Sequence, residues 1–351
     1  MTNDPGRAKK PLEKALHLRG MGQVISVSVA LALMVLVFWL LNPRFLSPMN
    51  INNLLRQVAP IIIIGIGQSF VLITGGIDLS IGSVAGMSCM VSATLMTKGG
   101  MTPVPAALIT IAACVLLGFM NGTLISRAKL PPFIATLGAM IIARGIAQLV
   151  NGNRNTDAIP FQGFGQLFYY GSFLGVFSTI WIAAVLFLVF NTVLSRTRTG
   201  RHTYAIGSNY EAARFSGVNV KAAQTKVYMF SAFLAAIVGL ILTGQTSYGS
   251  MDAGTGYELN AVAASVIGGV STMGGQGLLF GTVIGAFIWG VLTNGLQFVG
   301  MDLGWRNVVI GIVVIVSVLI DRVARGSAGG LDLSFFKRLV QKRGGKRNIA
   351  Q

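Results

Sequence analysis

The feature that most constrains this chain is a series of long apolar segments separated by short polar stretches. Only 11% of the 351 residues are charged, against roughly 25% in a typical soluble domain, so charge is too scarce to cover a soluble protein of this size. Segments in contact with lipid must be helical, because open strands would leave backbone groups unpaired. The sequence therefore predicts an all-α membrane protein, a polytopic bundle of about ten transmembrane helices. The predicted spans are 21–41, 57–75, 80–97, 103–126, 132–151, 176–195, 226–246, 259–271, 277–298 and 307–323.

The first apolar segment, Met21 to Leu41, follows a basic stretch, as the apolar core of a signal peptide would. It is long enough to cross a hydrocarbon core of about 30 Å, and it ends in Asn42-Pro43-Arg44 without the small-residue pattern of a cleavage site. We therefore expect it to be a retained first span.

The distribution of positive charge predicts the orientation. If both termini are cytoplasmic, 21 of the 27 Lys and Arg residues fall on the cytoplasmic side, as the positive-inside rule requires. The cytoplasmic segments are then 1–20, 127–131, 196–226 and 322–351. We expect a basic N-terminal tail (1–20), a transmembrane domain (21–323) with a cytoplasmic loop at 196–226, and a basic C-terminal tail (324–351). Aromatic residues do not interleave with the basic clusters, so the net charge of +17 does not indicate a nucleic-acid partner.

The central polar loop carries the signals of a short helix. Ser208 or Asn209 can cap its start, because their side chains accept hydrogen bonds from free helix amides. Glu211 then lies in the first turn, where the helix dipole favours negative charge. Gly217 stands where a helix terminator is favoured. The sequence predicts a helix at about 210–216 within an ordered loop rather than a solvated linker.

Two glycine-containing stretches interrupt the apolar pattern in a similar way. One reads Gly75-Gly76-Ile77-Asp78, and the other reads Ser265-Val266-Ile267-Gly268-Gly269. Either an internal repeat or a shared membrane composition explains the likeness. Paired glycine-interrupted segments in the two halves of a transporter are where a binding site is sought. The candidate pathway residues are Gly75, Gly76, Asp78, Ser80, Ser265, Gly268 and Gly269.

Three stretches, in order along the chain, resemble the monosaccharide-type ABC permeases, the ribose, xylose and galactoside family. The most specific lies in the central loop and includes Tyr204-Ala205-Ile206-Gly207, Asn209, Glu211-Ala212-Ala213-Arg214 and Ser216-Gly217. The other two are Gly75 to Ser83 and Ser265 to Gly269, the latter continuing through Gly274-Gly275 to Gly281-Thr282. The resemblance covers roughly residues 20–325.

The resemblance implies a multi-pass permease subunit of the bacterial inner membrane, in contact with lipid, that imports a monosaccharide or related polyol. It implies a homodimer of the permease, a cytoplasmic ATP-binding subunit that holds ATP and Mg, and a periplasmic sugar-binding protein. The short helix of the central loop would seat in a groove of the ATPase subunit. The residues implied in that contact are Asn209, Glu211, Ala212, Ala213, Arg214, Ser216 and Gly217.

Two charged residues within or beside the spans have alternative interpretations. Asp78 either caps the helix that follows it or contributes to a pathway, because an ionisable group at membrane depth is often functional. Arg144 either extends its side chain to the membrane surface or lines the pathway.

The sequence contains no G-x-x-x-x-G-K-[ST] phosphate-binding loop, and no metal set or nucleophile–base pair can be assembled from it. We therefore expect a chain that is not an enzyme and holds no cofactor of its own. An ion-coupled secondary transporter would be expected to carry paired intramembrane carboxylates or a His relay, and only Asp78 stands out. A branched-chain amino-acid-type ABC permease is the nearer alternative.

Overall fold

The computed structural model describes residues 9–326; residues 1–8 and 327–351, which belong to the two predicted tails, lie outside the described residues. Between Lys9 and Gly326 the chain forms thirteen α-helices. They are α1 (Lys9–Leu41), α2 (Pro48–Ile73), α3 (Ile81–Thr97), α4 (Pro103–Ser126), α5 (Pro132–Leu149), α6 (Gln162–Gly165), α7 (Ser178–Arg196), α8 (Arg198–Ser208), α9 (Tyr210–Phe215), α10 (Val220–Thr246), α11 (Tyr257–Ile267), α12 (Leu279–Phe298) and α13 (Leu303–Gly326).

Each of the ten predicted spans overlaps one of these helices, so the prediction of a mostly helical membrane protein is confirmed. Within the described residues, seven helices are long and apolar enough to cross a membrane: α1, α2, α4, α5, α7, α10 and α12. The apolar helix α3 has 17 residues, α11 has only 11, and the apolar part of α13 is described over Leu303–Val313. The number of ten crossings and the orientation of the termini stay predictions.

Helices α2, α10 and α12 form the buried centre of the bundle. Helix α10 packs against α4, α3 and α2, α11 and α12 pack against α2, and α1 packs against α12. Small residues let the backbones approach closely, as is common in membrane bundles. Gly118 of α4, for example, faces Ala232 and the Tyr228 carbonyl of α10, and Gly122 faces the backbone of Thr225.

Two irregular segments break the bundle. The first interruption, residues 74–80, connects α2 to α3 and turns sharply where the Gly76 N–H donates to the Val71 carbonyl at 3.1 Å. The second interruption, residues 247–256, connects α10 to α11 and begins at Ser247, whose φ is 60°. Each is followed by one of the short helices, α3 or α11.

The connection between α5 and α7 has local structure of its own. It contains α6, a π-helical turn at Gln166–Tyr170 and a small antiparallel hairpin of β1 (Ser172–Phe173) and β2 (Val176–Phe177). The guanidinium of Arg56 stacks over the Phe177 ring at 4.3 Å, which joins this connection to α2. The sequence analysis did not predict the hairpin, since strands of two residues carry no detectable alternation.

Candidate functional site

The central polar loop contains the predicted short helix. Helix α9 runs over Tyr210–Phe215, one residue shorter than predicted, and the Asn209 Oδ1 accepts a hydrogen bond from the Ala212 N–H at 2.9 Å. Gly217 follows the helix with a φ of 82°, in the left-handed region that favours glycine. The predicted cap and terminator are therefore confirmed as local structure. Helix α8, which precedes α9, was not predicted.

Helix α9 presents most of its surface to solvent. Glu211 and Arg214 are exposed and pair with each other, with 3.4 Å between Arg214 Nε and Glu211 Oε2. Phe215 has 79% of its surface exposed, which is unusual for a large apolar side chain in a polar loop. Ala213, in contrast, is buried and packs with Ile206 of α8. Phe215 was missed by the sequence analysis, which considered only the charged and small residues of this loop.

Helix α8 lies against the end of α2 and the loop between α11 and α12. Gly207 contacts the Ile73 carbonyl at the end of α2 and the Gly275 N–H, and Gly275 N itself donates to the Ile73 carbonyl at 2.8 Å. Gly274 contacts Gly75 across the same point. A side chain at position 207 would collide with backbone atoms, so glycine is required there for this close approach. We call this contact of Ile73, Gly75, Gly207, Gly274 and Gly275 the glycine junction.

A hydrogen bond strengthens the attachment of α8. The Tyr204 hydroxyl donates to the Gly277 carbonyl at 2.6 Å. Burial raises the pKa of Tyr204 to about 12, so the hydroxyl keeps its proton and remains a donor at neutral pH. The loop that carries α9 is therefore bonded to the segment between α11 and α12, and not only packed on it.

The structure places the other predicted pathway residues inside the bundle. Gly268 is buried and packs on the backbone of Gly281 in α12, while Gly269 N donates to the Val266 carbonyl. The Ser265 hydroxyl is buried in a cluster with Ser69 of α2, 3.0 Å away. Thr282 of α12 lies 2.8 Å from the same Ser69 hydroxyl, so three helices share this polar contact. The role of these residues in a pathway stays a prediction.

Asp78, in the first interruption, is only 2% exposed and fully engaged. Its Oδ1 accepts hydrogen bonds from the Ser80 N–H at 2.9 Å and the Ser80 hydroxyl at 2.6 Å. Its Oδ2 accepts from the Ser231 hydroxyl of α10 at 2.8 Å, and Asn121 of α4 donates to the Ser80 oxygen at 3.2 Å. Asp78 thus binds the residue before α3 and ties this turn to two neighbouring helices, but it accepts no hydrogen bond from an amide of the first turn of α3, so these contacts are not those of a helix cap. Its role in a pathway stays a prediction.

Several uncharged polar groups around this turn were missed. Among the described residues, Tyr228 Oη, Asn121 Oδ1 and both amide atoms of Gln68 are buried without a hydrogen-bond partner. The Tyr228 hydroxyl lies against Gly76. The signal was present in the sequence, because Gln68 and Asn121 interrupt apolar runs, but the analysis followed only charged residues. Unpaired buried polar atoms at one place are uncommon in a relaxed interior.

Arg144 of α5 makes an internal contact, which does not favour extension to the membrane surface, one of its two interpretations; the other, a place in the pathway, stays a prediction. Its Nη1 donates to the Met251 carbonyl at 2.8 Å and to the Ala253 carbonyl at 3.0 Å. The side chain is half-buried and lies against Gly86 of α3. The guanidinium therefore holds the second interruption against α3 and α5.

Comparison with known proteins agrees with this architecture. Residues 50–318 match the family model described as "Branched-chain amino acid transport system / permease component". The chain is 39% identical over 315 residues to the ribose import permease protein RbsC of Bacillus subtilis, covering 88% of this chain and 96% of that protein. It is 36% identical over 303 residues to RbsC of Escherichia coli K12, covering 84% of this chain and 92% of the relative. It is 33% identical over 325 residues to the fructose import permease protein FrcC of Rhizobium meliloti, covering 90% of each chain. No solved structure matches the chain.

Proposed function

The chain belongs to the permease-component family of branched-chain amino acid transport systems, and from this premise we propose that it is the membrane subunit of an ATP-driven importer for a monosaccharide or related polyol. It is a multi-pass protein of the inner membrane, and its family is that of the permease component, not of an ATPase. Relatives named as ribose, fructose and galactose import permeases support the sugar assignment.

One structural observation carries the proposal. The exposed helix α9 is connected through α8 to the glycine junction, where the end of α2 meets the loop between α11 and α12. Work done by a soluble ATPase reaches a membrane pathway only through physical contact, and such a connection needs a packed element between the two. Helix α9 offers the contact surface, with Phe215 at its tip, and α8 offers the packed element.

The names of the relatives as import permeases support the partners that we propose. Two copies of this chain would form the pathway, an ATP-binding subunit would hold ATP and Mg, and a periplasmic binding protein would deliver the sugar. The exposed residues of α9 and its end, Asn209, Glu211, Ala212, Arg214, Ser216 and Gly217, would face the ATPase. Ala213 would support the helix from behind, since it is buried against α8.

The second candidate is a branched-chain amino-acid importer, which the description of the family itself favours. Uptake measurements separate the two. A strain lacking this gene should fail to accumulate one of labelled ribose, fructose, galactose or inositol, while its uptake of labelled leucine and valine stays normal. Loss of leucine or valine uptake with normal sugar uptake would establish the second candidate instead.

Variants of α9 test the coupling role. We expect Gly217→Val and Glu211→Lys to leave the chain inserted and folded but to reduce ATPase co-purification and sugar uptake at least tenfold. Valine is disfavoured at a φ of 82°, at a cost of about 1–3 kcal/mol, and the lysine introduced in place of Glu211 would repel Arg214. The control is Gly304→Val, at an exposed position of α13 with open space around it. Wild-type ATPase binding and transport in both α9 variants would show that this loop is only a linker.

A further inference from the structure

The second interruption, residues 247–256, follows the length of α3. Gly249 packs against Met90 and Ala93 of α3, and Gly254, further along, contacts Gly82 and Gly86. Helix α11 then starts beside the first turn of α3, where the Glu258 carboxylate lies against Gly82. The segment and α11 therefore form one broken span, irregular over its first half and helical over its second.

The irregular half lies at membrane depth. Helix α3 ends at Thr97 and is followed by exposed Lys98, which marks the membrane surface at that end. Gly86 lies eleven residues before Thr97, or about 16 Å along the helix at 1.5 Å per residue, and Gly82 lies about 22 Å along it. Since the hydrocarbon core is about 30 Å thick, Ala253 and Gly254, which contact these two glycines, lie well inside it. Met251, whose N–H donates to Asn155 Oδ1 in the connection after α5, lies toward the outer end, so Asp252 stands where the segment enters the bundle.

One side of this segment is uncovered. Asp252 and Thr255 are exposed, as is Leu259 in α11, which has 64% of its surface exposed. The Asp252 carboxylate makes no hydrogen bond or ion pair with any residue that the structure describes. Irregular backbone and an unpaired carboxylate do not face lipid, because each unsatisfied group costs several kcal/mol there. They face protein or water.

We propose that the exposed side of residues 251–259 is the wall of the translocation pathway, and that Asp252 contacts the hydroxyl groups of the passing sugar. The inference rests on the proposed function, since it assigns the face of the chain along which the polyol moves. A carboxylate accepts hydrogen bonds from hydroxyl groups, which suits a polyhydroxylated solute. A single exposed carboxylate binds a sugar weakly, so the sugar can be released. Water in the pathway satisfies Asp252 when no sugar is present.

Arg144 is the positioning residue of this wall. Its two hydrogen bonds, to Met251 and Ala253, hold the carbonyls on either side of Asp252. With those carbonyls fixed toward α5 and α3, the Asp252 side chain is directed to the exposed side. Glu258 lies in the first turn of α11 and beside the first turn of α3, where two helix dipoles favour its negative charge, although its Oε2 is buried without a hydrogen-bond partner among the described residues.

Two matched positions test whether this face is wet. Leu259 and Ile141 are both aliphatic, with 64% and 65% of their surface exposed, but Ile141 lies on the outer side of α5. Single Leu259→Cys and Ile141→Cys variants are assembled with their ATPase partner in lipid nanodiscs and treated with a charged, water-soluble thiol reagent. Only thiolate reacts, and thiolate does not form in hydrocarbon, so Leu259→Cys should react on the order of 100-fold faster. The wild-type chain is the blank, since Cys89 and Cys114 are buried.

A second measurement tests the sugar contact. Asp252→Asn should lower the maximal rate of sugar uptake at least tenfold while ATPase co-purification stays normal. Asp157→Asn, at an exposed aspartate in the α5–α7 connection, is the matched control and should transport normally.

The outcomes are decisive. Equal labelling of the two cysteines, or an unreactive Leu259→Cys that crosslinks to a second copy, would show a dry interface and overturn the proposal. If Asp252→Asn takes up sugar at the wild-type rate, Asp252 does not contact the sugar. Either result leaves the proposed function intact if the wild-type chain imports a sugar; a chain that labels as expected but imports none would overturn the function instead.

Discussion

Each of the two interruptions of the bundle carries an aspartate, and the surroundings of the two aspartates are opposite. Asp78 is buried and accepts three hydrogen bonds, whereas Asp252 is exposed and accepts none from the described residues. The first interruption touches the glycine junction beneath α8, and the second is held by Arg144. The same residue type therefore has a structural task in one broken span and a solvent-facing position in the other.

This contrast separates mechanical transmission from substrate contact. In the proposed function, a movement of α8 would reach the first interruption through Ile73 and Gly75, which lie in the glycine junction. Among the described residues, the second interruption contributes none to the glycine junction. One of its sides, with Asp252 and Thr255, is exposed. We expect variants at the first to change stability or coupling, and variants at the second to change transport alone.

The largest expected effect is that of Asp78→Ala. It removes a buried acceptor and leaves the Ser80 and Ser231 donors without partners, at about 1–3 kcal/mol for each unsatisfied group. We expect a loss of roughly 3 kcal/mol or more in the free energy of unfolding, seen as a lower melting temperature in nanodiscs and a reduced yield of folded protein.

Asp252→Ala is the matched control for Asp78→Ala, since both remove an aspartate carboxylate from a broken span. It should melt within a degree or two of the wild type, because surface substitutions usually change stability by less than about 0.5 kcal/mol. If Asp78→Ala has the melting temperature of the wild type, or if Asp252→Ala is the less stable of the two variants, the distinction between the two interruptions is wrong.

A smaller effect is expected for Arg144→Gln. Arg144→Gln removes the charge from the two hydrogen bonds to the Met251 and Ala253 carbonyls but keeps an amide donor, so we expect a loss of about 1–2 kcal/mol in the free energy of unfolding. Uptake should fall about tenfold, and the labelling rate of Leu259→Cys should change in the double variant. Arg144→Lys, which keeps the charge and one donor, should recover part of both. A variant that loses stability alone, with the labelling rate unaltered, would make Arg144 a packing residue and not a positioning one.

The positions of the helices were largely predictable, and the contacts between them were not. Apolar length located ten of the thirteen helices between Lys9 and Gly326, and the residues Asn209 and Gly217 located α9, because these signals are local. The exposure of Asp252 and the burial of Asp78 depend on which helices pack beside them. The sequence alone therefore could not distinguish these two aspartates, which both lie in glycine-containing segments. The two interpretations of Arg144 stayed open for the same reason: its partners are two carbonyls more than a hundred positions away in the chain.

The smallest expected effect is that of Tyr204→Phe, at the attachment of α8 to the segment between α11 and α12. The change removes one hydrogen bond, of 2.6 Å to the Gly277 carbonyl, and keeps the ring, so the expected loss is about 1 kcal/mol. A loss of this size does not unfold the bundle, but α8 then lacks its side-chain hydrogen bond to Gly277. We therefore expect normal ATPase co-purification, a normal labelling rate at Leu259→Cys and a two- to fivefold increase in the ATP hydrolysed per sugar imported.

The effect of Tyr204→Phe should not depend on pH between about 6 and 9. Burial raises the pKa of Tyr204 above its ordinary value of 10.0 to about 12, so the stabilisation by the protonated hydroxyl is complete below pH 10 and is lost only as the pH rises toward 12. The measurement is the ratio of ATP hydrolysis to sugar uptake in proteoliposomes at three pH values in that range. If Tyr204→Phe hydrolyses as much ATP per imported sugar as the wild type, packing at the glycine junction alone transmits the motion of α8. A changed labelling rate at Leu259→Cys would mean that the two interruptions move together, and that coupling and substrate contact are not separable in this chain.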